Sequence, residues 1–183
     1  MSNDYTETLL VSRTAYEGKL LTLKEDQVKL PDGGQATREY VLHQGAAMVI
    51  ALFDDFSVLL ERQFRFPARA HFLELPAGKI DPGEAPLATA RRELLEETGY
   101  SAGRWRHLAT LYPCVGYSNE KVELFLAQQL NHDGHPGEDG EFLECLRIGL
   151  DEALAMVTVG EITEAKTIVG LLWADKLRKG DWK

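Results

Sequence analysis

Apolar and polar positions fall into blocks along the chain. Residues 19–30 mix β-branched with charged side chains, Pro31-Asp32-Gly33-Gly34 reads as a turn, and residues 36–43 read as a returning strand. A hairpin is therefore expected over 19–43. Residues 46–53 form a continuous apolar run, the pattern of a strand buried on both faces. Asp54-Asp55 supplies a turn. Residues 57–62 and 72–75 read as strands, the second stopping at Pro76. Further strands are expected over 104–111 and 122–129, joined by a loop over 112–120. Residues 131–141 are rich in Asp, Gly, His, Pro and Glu and read as a loop.

Helical periodicity enters at residue 86. Pro86 suits a first helical position, because its φ is fixed and no amide donor is needed there. Leu87, Ala90 and Leu94 then share one face over 86–98, with Leu95 beside them, and Gly99 is a natural stop. A short helix is expected over 151–157 and a longer one over 162–178. The longer helix carries an apparent core stripe of Ile162, Ala165, Ile168, Val169 and Leu172. The alternation of strands and helices predicts an α/β chain. Its N-terminal β region covers 1–43 and its main domain 44–183.

Composition narrows the function. The 183 residues, 44% hydrophobic, suffice for a core without disulfide or metal staples. Asp and Glu number 29 against 20 Lys and Arg, a net charge of −9. That balance argues against nucleic acid as partner. It leaves room for a phosphate substrate if a cation bridges the two. The longest apolar run is too short to span a bilayer, and the polar start MSNDYTET shows no secretory signal. Cys114 and Cys145 stand apart, outside any CxxC, as expected of reduced thiols in the cytoplasm.

One stretch carries the chemistry: GKIDPGEAPLATARRELLEETGY, residues 78–100. On a helix, Glu93 neighbours both Glu96 and Glu97, an arrangement that costs energy unless something positive intervenes. Arg92 relieves part of the repulsion by pairing with Glu96 at i+4. A hard divalent cation would relieve more, and carboxylate oxygens select Mg²⁺, with Mn²⁺ as a substitute. A solvated helix face would explain RRELLEE alone. It leaves Gly78, Glu84 and Gly99 at their separations unexplained.

The spacing Gly-x5-Glu-x7-Arg-Glu-U-x-Glu-Glu-x-Gly-U, with U apolar, resembles the box of the Nudix hydrolases at every fixed position. Glu61-Arg62-Gln63-Phe64-Arg65, Glu74 to Asp81, Arg38-Glu39 and Tyr112-Pro113-x-x-Gly116-Tyr117-Ser118 are similar to the ADP-ribose pyrophosphatase branch, which handles nucleoside diphosphate sugars. The resemblance implies an α/β/α sandwich around a mixed β-sheet. It also implies a homodimer whose N-terminal strands exchange between subunits, and a small nucleotide-sugar substrate.

By this resemblance Glu93 and Glu97, with the backbone carbonyl of Ala77, are metal ligands, and Glu96 is a further one or, if fewer ions bind, stands behind them. Arg92 orients the carboxylates, Glu84 fixes the loop or reaches a metal through water, and a loop glutamate, Glu141 ahead of Glu138, is the general base. Arg65 suits a diphosphate grip, since guanidinium binds phosphate through two parallel hydrogen bonds. Arg38 and Glu39 match positions near the nucleoside, in the partner subunit's site or their own, or else form a β-strand ion pair. Tyr16 reads as a core or rim aromatic ahead of a base-stacking one, and His132 as part of a solvated loop. The expected activity is Mg²⁺-dependent cleavage of ADP-ribose to AMP and ribose 5-phosphate. Val115 stands where ADP-ribose-preferring members usually carry proline, which keeps GDP-mannose or a broader range open. A dinucleoside polyphosphate, nucleoside triphosphate or capped-RNA hydrolase is disfavoured by the motifs over 61–81. A non-catalytic sensing module is disfavoured because all the box carboxylates are present.

Overall fold

The computed structural model describes residues 4–134 and 142–182. The chain divides into two compact units, 1–44 with 114–121, and 45–113 with 122–183.

The first unit is a three-stranded antiparallel meander of β1 (Thr8–Glu17), β2 (Thr22–Lys29) and β3 (Gln35–Leu42), in the order β1-β2-β3. The hairpin expected over 19–43 corresponds to β2 and β3. Its turn is closed by the Asp32 carboxylate, which accepts the Gly34 amide at 2.8 Å, with Gly33 at φ 91°. β1 was not anticipated. All ten of its residues are exposed, so no buried face imprints a period of two on its sequence. Residues 114–121 join this unit through a parallel bridge between Val41 and Ser118. The Val41 amide donates to the Tyr117 carbonyl at 2.9 Å, and the His43 amide to Asn119 Oδ1 at 2.7 Å.

The second unit holds β4 (Ala46–Ala51), β5 (Ser57–Arg65), β6 (Ala70–Glu74), β7 (Ala77–Lys79), α1 (Pro86–Thr98), β8 (Tyr100–Leu111), β9 (Val122–His132), β10 (Leu143–Gly149), α2 (Leu150–Thr158) and α3 (Ala165–Arg178). One sheet runs β7-β4-β9-β8, with β4 and β9 parallel and the outer pairs antiparallel. A second, antiparallel sheet runs β10-β5-β6. Every residue of β4 is buried, as its apolar run requires. Met48 and Ile50 face a core shared with α2 and α3, while Ala47 and Val49 face one shared with α1. Helices thus cover both faces of a mixed sheet, the expected α/β/α arrangement.

One strand was not anticipated and two local expectations are corrected. β10, ahead of α2, has only half-buried and exposed residues, and its pattern is correspondingly faint. His132 ends β9 rather than sitting in a loop, and its ring packs edge-on against Tyr100. The core face of the last helix is Thr167, Gly170, Leu171 and Ala174, whereas Leu172 is 49% exposed and Ile162 lies ahead of the helix. Small residues decide that face. A Cβ on Gly170 would overlap Leu75, so glycine lets the helix backbone come close to the sheet.

Candidate active site

β7 and α1 build the site. Pro86 starts α1, and Gly99 ends it at φ 72°, its amide donating to the Leu95 carbonyl at 2.8 Å. These boundaries present Arg92, Glu93, Glu96 and Glu97 over consecutive turns. β7 runs past the same turns. The Ala77 amide donates to Glu97 Oε2 at 3.0 Å, and a Cβ at position 78 would overlap the Glu93 carboxylate. Glycine at 78 is therefore what lets Glu93 lie against the strand. Glu97 is only 8% exposed, so it is a buried carboxylate held by a backbone donor, not a group on an open helix face.

Arg92 is the hub of the acidic cluster. Its Nη1 donates to Glu93 Oε1 at 2.8 Å and to Glu96 Oε2 at 3.0 Å, the expected i+4 pair. Its Nη2 donates to Glu84 Oε2 at 3.0 Å and to the Lys79 carbonyl at 3.3 Å. Glu84 also accepts the Thr89 hydroxyl at 2.7 Å and the Asp81 amide at 3.3 Å, so it ties the 81–84 turn to α1. The Arg92 guanidinium, and after it the Thr89 hydroxyl, hold the Glu84 carboxyl down at about 2. One guanidinium thus neutralises carboxylates that would otherwise repel one another.

The oxygen-only donor set of Glu93, Glu96 and Glu97 suits a hard divalent cation. Among the described residues no three His, Cys, Asp or Glu side chains converge into a ready metal cage. In this arrangement Arg92 bridges Glu93 and Glu96.

Arg65 lies on β5 beside the same cluster. Its Nε and Nη2 donate to the two oxygens of Glu74 at 2.7 and 2.8 Å. Its pKa is raised, first by that bond, with Glu97 and Glu164 adding attraction. Sequence reasoning gave Glu74 and Glu164 no role. Glu74 is the buried carboxylate that aims Arg65. Glu164 caps α3 by accepting the Thr167 amide at 2.7 Å, and the Thr167 hydroxyl accepts the Leu75 amide at 2.9 Å. Starting the helix at 162 hid that cap. Ahead of Ala165, a glutamate three residues before a threonine amide is the signal that would have found it. Cys145, opposite Glu61 in the β10–β5 register, has its thiol pushed up to about 11 by burial, with Glu61 and Glu97 adding to the shift. It is a half-buried thiol with little thiolate character at neutral pH.

Other expected residues fall elsewhere. Arg38 and Glu39 belong to the first unit, where both line one groove. Tyr16 is exposed on β1 and so is no core aromatic. Glu138 and Glu141 lie outside the described residues.

Within the second unit, acidic groups on one helix and a guanidinium on the adjacent sheet can hold a cation and an anionic phosphate side by side. The NUDIX domain matches residues 42–167. The chain belongs to the Nudix family. A nucleoside diphosphate sugar hydrolase N-terminal domain matches residues 7–41 of this Nudix protein. Over 163 residues it is 36% identical to an ADP-ribose pyrophosphatase of Bacillus subtilis (strain 168), covering 88% of each chain. Over 165 residues it is 38% identical to an ADP-ribose pyrophosphatase of Mycobacterium tuberculosis (strain ATCC 25618 / H37Rv), covering 88% of this chain and 79% of that one. A crystal structure of an ADP compounds hydrolase superposes with a TM-score of 0.87 at 25% identity, covering 98% of both chains. This Nudix protein is a hydrolase. Among the described residues no helix is long and apolar enough to cross a membrane.

Proposed function

We propose that this Nudix hydrolase splits the diphosphate bridge of a nucleoside diphosphate sugar, with ADP-ribose foremost, releasing AMP and ribose 5-phosphate. Water adds its oxygen to one phosphorus, the bridging P–O bond breaks, and the water proton passes to a base. The observation that carries this reading is the pair of contacts between α1 and β7, Glu93 against Gly78 and Glu97 on the Ala77 amide. Glu93, Glu97 and the Ala77 carbonyl would hold Mg²⁺, or Mn²⁺ in its place, with Glu96 as a further ligand. A cation bound there supplies charge for the phosphoryl oxygens and lowers the pKa of its water.

The chain's own residues do the rest. Arg92 keeps the carboxylates ionised and oriented. Arg65, aimed by Glu74, offers its remaining N–H groups to the diphosphate. Glu141, ahead of Glu138, takes the proton from water, and Arg38 and Glu39 meet the nucleoside side of the substrate. The relatives named ADP-ribose pyrophosphatase support ADP-ribose. Val115, on the exposed 115–119 segment, supports a second reading in which GDP-mannose or several nucleotide sugars serve. The exposed β1 supports a homodimer that shares its N-terminal strands, and two free thiols support a cytoplasmic setting.

The test is phosphatase-coupled turnover of ADP-ribose, GDP-mannose, UDP-glucose, a dinucleoside polyphosphate and a nucleoside triphosphate, with Mg²⁺, Mn²⁺ or a chelator. Selective, chelator-sensitive turnover of ADP-ribose is expected. Preference for another sugar nucleotide moves the substrate and keeps the chemistry. Silence across the panel with metal bound overturns the reading.

A further inference from the structure

The first unit carries an open groove of about 490 Å³, with Glu7, Arg38, Tyr40 and residues 115–119 on its walls. Arg38 does not face this groove freely. Its Nε donates to Glu7 Oε2 at 3.0 Å and its Nη2 to Glu7 Oε1 at 2.5 Å, while Nη1 donates to the Thr37 carbonyl at 3.1 Å. Glu7 stands just ahead of β1 and Arg38 sits on β3, with β2 between them. Arg38 lies mid-strand opposite Asp26, so its pair with Glu7 spans the meander and is not a ladder pair.

Both partners are open to water, with side chains 45% and 35% exposed. A pair that open adds little to stability. It can be exchanged at small cost for another anion. Carboxylate and phosphate present the same two-oxygen edge to a guanidinium, so Glu7 occupies the fork as a nucleotide phosphate would.

We infer that Glu7 is an internal competitor for Arg38: it occupies the guanidinium until a phosphate-bearing nucleotide displaces it, and so sets the affinity threshold of the groove. This inference rests on the proposed role of Arg38 at the nucleoside side of the substrate, with the adjoining phosphate as the group that takes the place of Glu7. Only molecules whose Arg38 is released bind well, and apparent affinity falls by that fraction. For an exposed pair the penalty is roughly two- to sixfold in KM. Salt loosens the pair as well as the substrate contact, so the wild-type chain has a built-in buffer against ionic strength.

The experiment is steady-state kinetics with ADP-ribose, for the wild-type chain, Glu7→Gln, Glu7→Ala and Arg38→Ala, at several salt concentrations, with melting curves showing that each variant folds. Both Glu7 variants are expected to lower KM two- to sixfold with kcat unchanged. Their KM should also climb more steeply with salt than that of the wild type. Arg38→Ala is expected to raise KM and to erase the benefit of Glu7→Gln in the double variant. If Arg38→Ala raises KM while the Glu7 variants leave it unchanged or raise it, Glu7 orients Arg38 and the competitor is overturned. If Arg38→Ala leaves KM where it was, the reading of Arg38 itself falls, and the competitor with it.

Discussion

Glu97 accepts the Ala77 amide at 3.0 Å from a position only 8% exposed, so the last turn of α1 is tied to β7 through the carboxylate assigned to metal. The two roles separate on substitution. Glutamine keeps a carbonyl oxygen that can accept the amide and loses the charge. Glu97→Gln should therefore fold with a near-normal melting curve and lose at least about 10²-fold in metal-dependent kcat. Turnover assays beside circular dichroism check this. Near-normal rates would remove Glu97 from the metal assignment.

Gly78 makes room for Glu93, since any Cβ there overlaps the carboxylate. The obstruction meets the end of a flexible side chain, so Glu93 can swing aside at small cost to the fold. Gly78→Ala should thus keep its stability while displacing the Glu93 carboxylate by about the width of a methyl group. A misplacement of that size costs on the order of 10²-fold in rate. An unchanged kcat, measured at saturating Mg²⁺, would show that the position of Glu93 is not critical.

The helix that carries these residues was legible because its constraints are chemical. Arg92 joins Glu84, Glu93 and Glu96, and Glu97 is held on the Ala77 amide. β4 was legible because burial on both faces leaves an unbroken apolar run. What escaped is set by contacts with no local pattern. β1 has no buried face, the face of α3 is chosen by the absence of a side chain at Gly170, and the bond of residues 114–121 to β3 links positions more than 70 apart in sequence. Glu74 escaped for another reason. Its value lies in a partner nine positions away across a hairpin, and the β5–β6 register, which sets Glu61 opposite Glu74 and Ala70 opposite Arg65, does not announce the pair.

Acid should expose the part Glu84 plays. Its carboxyl is held at about 2, below the ordinary 4.5, chiefly by Arg92. A depressed folded-state pKa means the unfolded chain takes up protons first as pH falls. The contribution of this carboxylate is then full above about pH 4.5 and is lost between pH 4.5 and 2. The gap in melting temperature between the wild type and Glu84→Gln should accordingly be constant near neutrality and close as pH falls through that window. A gap that widens toward low pH would reverse the assigned sign.

β1 presents Leu9, Leu10, Val11 and Tyr16 to solvent along ten exposed residues and, among the described residues, pairs on one side only, with β2. An edge of that length and apolarity is a template for another strand, and a charged residue on it is the common natural safeguard. Arg13 is the strand's one basic residue, and it is drawn to Glu25 at 2.7 Å, across the β1–β2 ladder. The open edge is therefore expected to be covered by a second copy of the chain. Wild-type protein should sediment as a dimer at micromolar concentration, and Val11→Lys should shift it toward monomer. If Arg38 and Glu39 serve the partner's site, the same substitution should raise KM for ADP-ribose more than it lowers kcat. A wild-type chain that sediments as a monomer would refute the dimer, and an unaltered KM in a monomeric Val11→Lys would confine Arg38 and Glu39 to their own subunit.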